Sequence, residues 1–126
     1  MSQKKAQTNV SVQDKAVLVA GWLLDKKAKD VLALDVAAIN PICEVMVVAS
    51  AANVRQAKAL ADYVLEQCSE VGFSYLGMEG YRVGQWVLLD LNDVMVHIFL
   101  EEIRPFYNIE GLWSEGTRIP LPQPQE

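Results

Sequence analysis

The side chains best equipped for chemistry or recognition gather between residues 77 and 113: Glu79, Trp86, Asp90, Asp93, His97, Arg104, Tyr107 and Trp113, a set with the only histidine and two of the three tryptophans. Asp90 and His97 could form an acid/base dyad, yet no Ser or Cys stands beside them as a nucleophile. A zinc site would have to collect Cys43, Cys68, His97 and a carboxylate from separate elements, with no ligand-spacing motif to support it. No metal or cofactor site is therefore expected. Trp, Tyr and Arg are enriched at binding hot spots, and interleaved with carboxylates they suit a surface that holds a partner better than one that turns over a substrate.

Positioning these residues calls for a strand pair. Residues 86–91 and 94–99 flank Asn92-Asp93, and Asn tolerates the left-handed backbone that two-residue hairpin loops require. With that loop, Trp86 opposes Phe99, Leu88 opposes His97 and Asp90 opposes Met95. Val87, Leu89, Leu91, Val94, Val96 and Ile98 then form an aliphatic face that must pack on helices. The opposite face mixes apolar and polar groups. It is either a second core layer, with His97 satisfied by diagonal Asp90, or a partly exposed platform for a partner. A three-residue loop would swap the faces of one strand and dissolve the distinction.

Upstream, Ser11 with Asp14 caps a first helix in which Ala16, Val19, Ala20, Leu23 and Leu24 recur at helical spacing, ending in the basic cluster Lys26, Lys27 and Lys29. Residues 31–36 read as a short strand, Asn40-Pro41 as a turn, and 45–49 as an apolar strand buried on both faces. Asn53 and Gln56 cap a second helix whose stripe of Val54, Ala57, Ala61, Val64, Cys68 and Val71 stops at Gly72. Residues 73–78 read as a third strand. After the hairpin, 101–107 reads as a short helix in which Pro105 lies deep enough to kink it or cost a hydrogen bond, followed by a turn at 110–113. These elements make a single α/β domain over residues 10–115, a mixed sheet of about five strands flanked by helices. A flexible segment at 1–9 and a flexible, proline-rich tail at 116–126 bracket it.

The length of 126 residues suits one core, and 52% hydrophobic against 21% charged residues favours a folded chain. Residues 1–9 show neither the apolar stretch of a secretory signal nor the arginines of a transit peptide. No apolar run approaches the ~20 residues of a membrane span. Cys43 and Cys68 lack C-x-x-C spacing and read as buried thiols in a reducing compartment, so a cytoplasmic location is expected. The net charge of −5 is unevenly spread: residues 1–63 hold eight Lys/Arg and six Asp/Glu, residues 64–126 three Arg and ten Asp/Glu. The C-terminal half is thus a poor surface for phosphate backbones and a suitable one for a basic protein, or simply a solvated acidic face.

Gly77-Met78-Glu79-Gly80, Trp86-Val87-Leu88-Leu89-Asp90, Asp93-Val94-Met95-Val96-His97-Ile98-Phe99, Arg104-Pro105-Phe106-Tyr107 and Glu110-Gly111-Leu112-Trp113 together resemble the ribosomal silencing factor family, also called Iojap-related proteins. The resemblance spans residues 12–115. It extends to Ser50–Gln56, with Ala51 where a glycine is usual and, just upstream, Glu44 where an aspartate is. It implies a nucleotidyltransferase-like α/β fold without enzymatic activity, and a protein that binds the large ribosomal subunit at ribosomal protein L-fourteen, obstructing the small subunit when nutrients are short. It implies self-association as a homodimer, while the charge distribution and the short apolar runs give no expectation of direct sequence-specific nucleic-acid binding or of a membrane. Carried across by position, the docking candidates are Glu79, Trp86, Asp90, Asp93, His97, Arg104, Tyr107 and Trp113. Two rival functions remain: a large-subunit assembly factor, and a nucleotidyltransferase-like enzyme. Those enzymes follow a Gly-Ser pair with Asp-x-Asp, whereas Ala49-Ser50 here meets no carboxylate before Asp62.

Overall fold

The computed structural model describes residues 10–122; the N-terminal segment 1–9 and the last residues, 123–126, lie outside the described part. Ser11 Oγ accepts the Asp14 amide at 3.0 Å and opens helix α1 (Val12–Asp25). Lys26 is its C-cap, so the basic cluster follows the last turn instead of lying within it. Helix α2 (Val54–Val71) starts from a reciprocal cap: Asn53 Oδ1 accepts the Gln56 amide at 2.8 Å, and Gln56 Oε1 accepts the Ala52 amide at 2.7 Å. It ends at Gly72, whose φ of 83° is a conformation that glycine adopts without strain.

The strands are β1 (Lys29–Asp35), β2 (Val45–Ala51), β3 (Gly77–Glu79), β4 (Trp86–Asp90), β5 (Val94–Leu100) and β6 (Thr117–Ile119). They form one six-stranded mixed sheet in the order β3-β4-β5-β2-β1-β6. β2 runs parallel to β5, and every other pair is antiparallel. All seven residues of β2 are buried, the apolar run 45–49 as the centre of a sheet requires and polar Ser50 along with it. In the hairpin, Trp86 pairs with Phe99, Leu88 with His97 and Asp90 with Met95, and Asn92 has a φ of 80°. The two-residue loop and its alternation stand as the sequence indicates.

Four local expectations change. The third strand begins only at Gly77, because Phe73 turns into the helical layer against Trp22, ring centroids 5.9 Å apart. The span 116–126, expected to be wholly a flexible tail, supplies β6, whose Thr117, Arg118 and Ile119 pair with Asp35, Leu34 and Ala33. That raises the sheet from five strands to six. Helix α3 (Arg104–Tyr107) starts one residue before Pro105, so the missing proline N–H falls in the first turn, where no helical acceptor awaits it. The turn at 110–113 is a second short helix, α4 (Ile109–Leu112).

Helices α1 and α2 cover one face of the sheet. Val19 and Leu23 of α1 and Leu60 and Val64 of α2 meet Val47, Val87, Leu89, Val96 and Ile98 in the main core. The opposite face has a smaller cluster of Leu34, Met46, Val48 and Phe99, covered by Ile103, Ile109 and Trp113 of the C-terminal segment. Among the described residues no helix is long and apolar enough to cross a membrane.

The loop between β3 and β4 depends on Gly80, which has a φ of 79° and would place a Cβ 2.1 Å from the Trp86 carbonyl oxygen. Gly80→Ala therefore combines a left-handed backbone with a backbone clash, and should lower stability by about 2 kcal/mol or more. Urea denaturation measures this; a loss below about 0.5 kcal/mol would show that the loop relaxes without cost.

Candidate functional site

Cross-strand rows assemble the mixed face from distant parts of the chain. One row runs Glu79, Leu88, His97, Val48 and Leu32 across β3, β4, β5, β2 and β1. The next runs Gly77, Asp90, Met95, Met46 and Leu34, and a third sets Trp86 beside Phe99 and Ser50. Directly opposed residues share a side of the sheet, so Glu79, Trp86, Asp90 and His97 all stand on the face away from α1 and α2. The C-terminal segment adds Tyr107 to them.

At the centre is an aromatic cluster. The Trp86 ring lies 4.9 Å from Phe99, 4.5 Å from Tyr107 and 6.0 Å from His97, centroid to centroid. Phe99 is fully buried beneath it, whereas Tyr107 is 49% exposed and neighbouring Phe106 83% exposed. Leu88 and Met95 are half-buried on the same face, and Leu112 on α4 is exposed. Sequence reasoning missed Phe106 and Leu112 as contact candidates. Their signal was an aromatic and an aliphatic residue in helices too short to bury both sides.

His97 is 8% exposed, and its Nδ1 accepts the Trp86 indole N–H at 3.1 Å. Diagonal Asp90 is not its partner: Asp90 Oδ1 accepts the Asn92 amide at 2.9 Å and shapes the turn. Burial pushes the His97 pKa down from 6.5 to about 4, so the ring is neutral near pH 7. The unfolded chain takes up this proton as pH falls through about 6.5 while the folded chain resists until about 4, so the stabilisation is present above that window and lost on acidification. Wild-type chain should lose about 2 kcal/mol more than His97→Gln between about pH 7 and about pH 5. Parallel urea titrations of both proteins measure the difference, and equal losses would contradict a buried neutral imidazole.

Three sequence candidates are placed otherwise. Asp93 accepts a 2.6 Å bond from Lys15 Nζ, which also donates to the Leu91 carbonyl at 2.8 Å, so this carboxylate ties the hairpin turn to α1. Arg104 is turned inward. Its Nε donates to Glu110 Oε2 at 3.0 Å, and its Nη1 donates to the Asp30 carbonyl and to Ser50 Oγ, both at 2.8 Å. Trp113 is half-buried against the smaller cluster. Glu79, Trp86, Asp90, His97 and Tyr107 are thus brought together; Asp93 and Arg104 are committed to internal bonds.

A concavity of about 450 Å³ lies beside Arg104 and is lined by none of Trp86, His97 or Tyr107. Its charges are largely matched in pairs, Glu101 with Lys29 at 3.3 Å and Glu110 with Arg104 at 3.0 Å. Among the described residues, no group of three or more His, Cys, Asp and Glu side chains is placed to hold a metal ion. Cys43 and Cys68 are both buried free thiols, and burial raises the pKa of each. What this arrangement offers is a partly exposed aromatic and aliphatic patch with two carboxylates, Glu79 and Asp90, on one face of the sheet.

Comparison with known proteins gives consistent matches. Residues 9–126 match the family model described as ribosomal silencing factor during starvation. The ribosomal silencing factor RsfS of Chromobacterium violaceum is 38% identical over 105 residues, 83% of this chain and 86% of that protein. The RsfS of Bacillus subtilis is 37% identical over 97 residues, 77% of this chain and 82% of that one. Chloroplastic protein Iojap of Zea mays is 32% identical over 107 residues, 85% of this chain but 46% of its own length. A crystal structure of a Chromobacterium violaceum protein superposes with a TM-score of 0.81 at 35% identity, covering 92% of each chain. One from Bacillus halodurans gives 0.75 at 31% identity, covering 86% of this chain and 99% of that one.

Proposed function

We propose that this chain, which belongs to the ribosomal silencing factor family, docks on the large ribosomal subunit at ribosomal protein L-fourteen and keeps the small subunit from joining. It acts in the cytoplasm, represses translation under nutrient limitation, and works by occupying space, with no covalent step. The observation that carries this reading is the exposed aromatic ridge of Phe106 and Tyr107, continuous through Trp86 with a face that also bears Glu79 and Asp90. Ribosomal proteins are generally basic, and the excess of ten Asp/Glu over three Arg in residues 64–126 gives this half of the chain the complementary sign. Hydrophobic anchors with a polar rim are the anatomy of a specific protein interface.

The test is a joining experiment. Purified chain is incubated with large subunits, small subunits are added, and the mixture is separated on a sucrose gradient. The expected result is chain co-migrating with large subunits and a loss of joined ribosomes. Large-subunit binding with normal joining would replace silencing by a role in subunit assembly. Absence of binding would reopen the enzymatic alternative, for which product formation from nucleoside triphosphate and magnesium, abolished by Asp90→Ala, is the positive sign.

A further inference from the structure

An indole N–H can only donate, and that of Trp86 points at His97 Nδ1 at 3.1 Å. Nδ1 must therefore present its lone pair, which leaves the proton of the neutral imidazole on Nε2. On β5, His97 is a diagonal neighbour of Trp86, one row along from the directly opposed Phe99. Its cross-strand neighbours are the apolar Leu88 on one side and Val48 on the other. A leucine would fill such a site with no polar atom to satisfy; what the imidazole adds is an acceptor for the indole.

Ring contacts alone do not fix an indole. Phe99 at 4.9 Å and Tyr107 at 4.5 Å pack against the Trp86 ring, but they also meet each other at 5.9 Å and so do not sandwich it, and dispersion and stacking are too weakly directional to stop it sliding or turning over. The N–H···N bond is the one directional contact that selects a single pose. We infer that His97 is the positioning residue of the docking surface, setting the orientation of the Trp86 indole through Nδ1 so that the edge not bonded to the imidazole is presented to the partner. Its consequence for affinity rests on the docking function proposed above; the contact itself does not.

The experiment uses the full chain, isotope-labelled, together with His97→Leu, which is apolar and of similar size, and His97→Gln, which keeps an acceptor. A nitrogen–nitrogen scalar coupling across the hydrogen bond, between Trp86 Nε1 and His97 Nδ1, is expected in the wild-type chain. In His97→Leu the Trp86 indole proton, identified by its loss in Trp86→Phe, should move upfield, and affinity for large subunits should fall about tenfold. His97→Gln should recover most of that loss. Absence of the coupling, together with an indole resonance unmoved in folded His97→Leu, overturns the inference. A coupling with equal affinity in all three chains overturns the positioning role while leaving the bond. Failure of the wild-type chain to bind large subunits strikes instead at the docking function, so the two failures appear in different measurements.

Discussion

Trp86→Ala is expected to weaken binding to isolated large subunits by about 2 kcal/mol or more, roughly thirty-fold in dissociation constant. The indole packs on both buried Phe99 and half-exposed Tyr107, which also meet each other with ring centroids 5.9 Å apart. Its removal deletes contact area and takes away one of the two rings on which Tyr107 packs. Because Phe99 would be uncovered, the variant should lose stability too, so its folded fraction must be measured beside its affinity. Phe106→Ala separates the two effects. Phe106 is 83% exposed, so truncation should leave the melting temperature nearly unchanged while weakening binding about tenfold. Full affinity in both folded variants would exclude the aromatic ridge as the contact.

Arg104→Met is expected to cost about 3 kcal/mol of stability, a fall in melting temperature of about 10 °C. The side chain is 9% exposed and braces three elements at once: the Asp30 carbonyl in the irregular part of β1, Ser50 Oγ in β2 and Glu110 in α4. Without the guanidinium, each of those groups loses a donor, and Glu110 becomes an uncompensated carboxylate whose Oε1 already has no hydrogen-bond partner among the described residues. One third of the Glu110 side chain still reaches solvent, at 33%, which sets the cost near the lower end of the range for broken buried pairs. Adding Glu110→Leu should restore part of the loss, since the orphaned charge is then gone. Arg104→Met melting within about 1 °C of the parent would show that the brace carries no net stability.

Fold and site differed in how far the sequence revealed them. The two long helices were legible because Ser11, Asn53 and Gly72 mark their ends by local hydrogen-bond chemistry. The hairpin register was legible because a two-residue loop at Asn92 leaves one way to pair alternating faces. β6 was not: Thr117, Arg118 and Ile119 carry no alternation, and they become a strand only because the outer edge of β1 supplies pairing partners. Phe73 shows the opposite case, a good strand former claimed by Trp22 in the helical layer. At the site, alternation assigned Trp86, Asp90 and His97 to one face but could not reveal which bonds which. Pattern determines the side of a sheet, while side-chain rotamers determine partners. Arg104 was misplaced for a related reason: its motif marks it as important, and only burial distinguishes a brace from a contact.

The parallel union of β2 with β5 also governs how the chain can assemble as it is made. β2 is apolar on both faces and is complete by Ala51, but one of its two neighbours does not exist until Leu100 has been synthesised. A nascent chain shorter than that holds an open, sticky strand edge, the arrangement most prone to intermolecular pairing. Productive folding must therefore wait until β5 has emerged, which leaves the growing chain reliant on shielding of that edge until then.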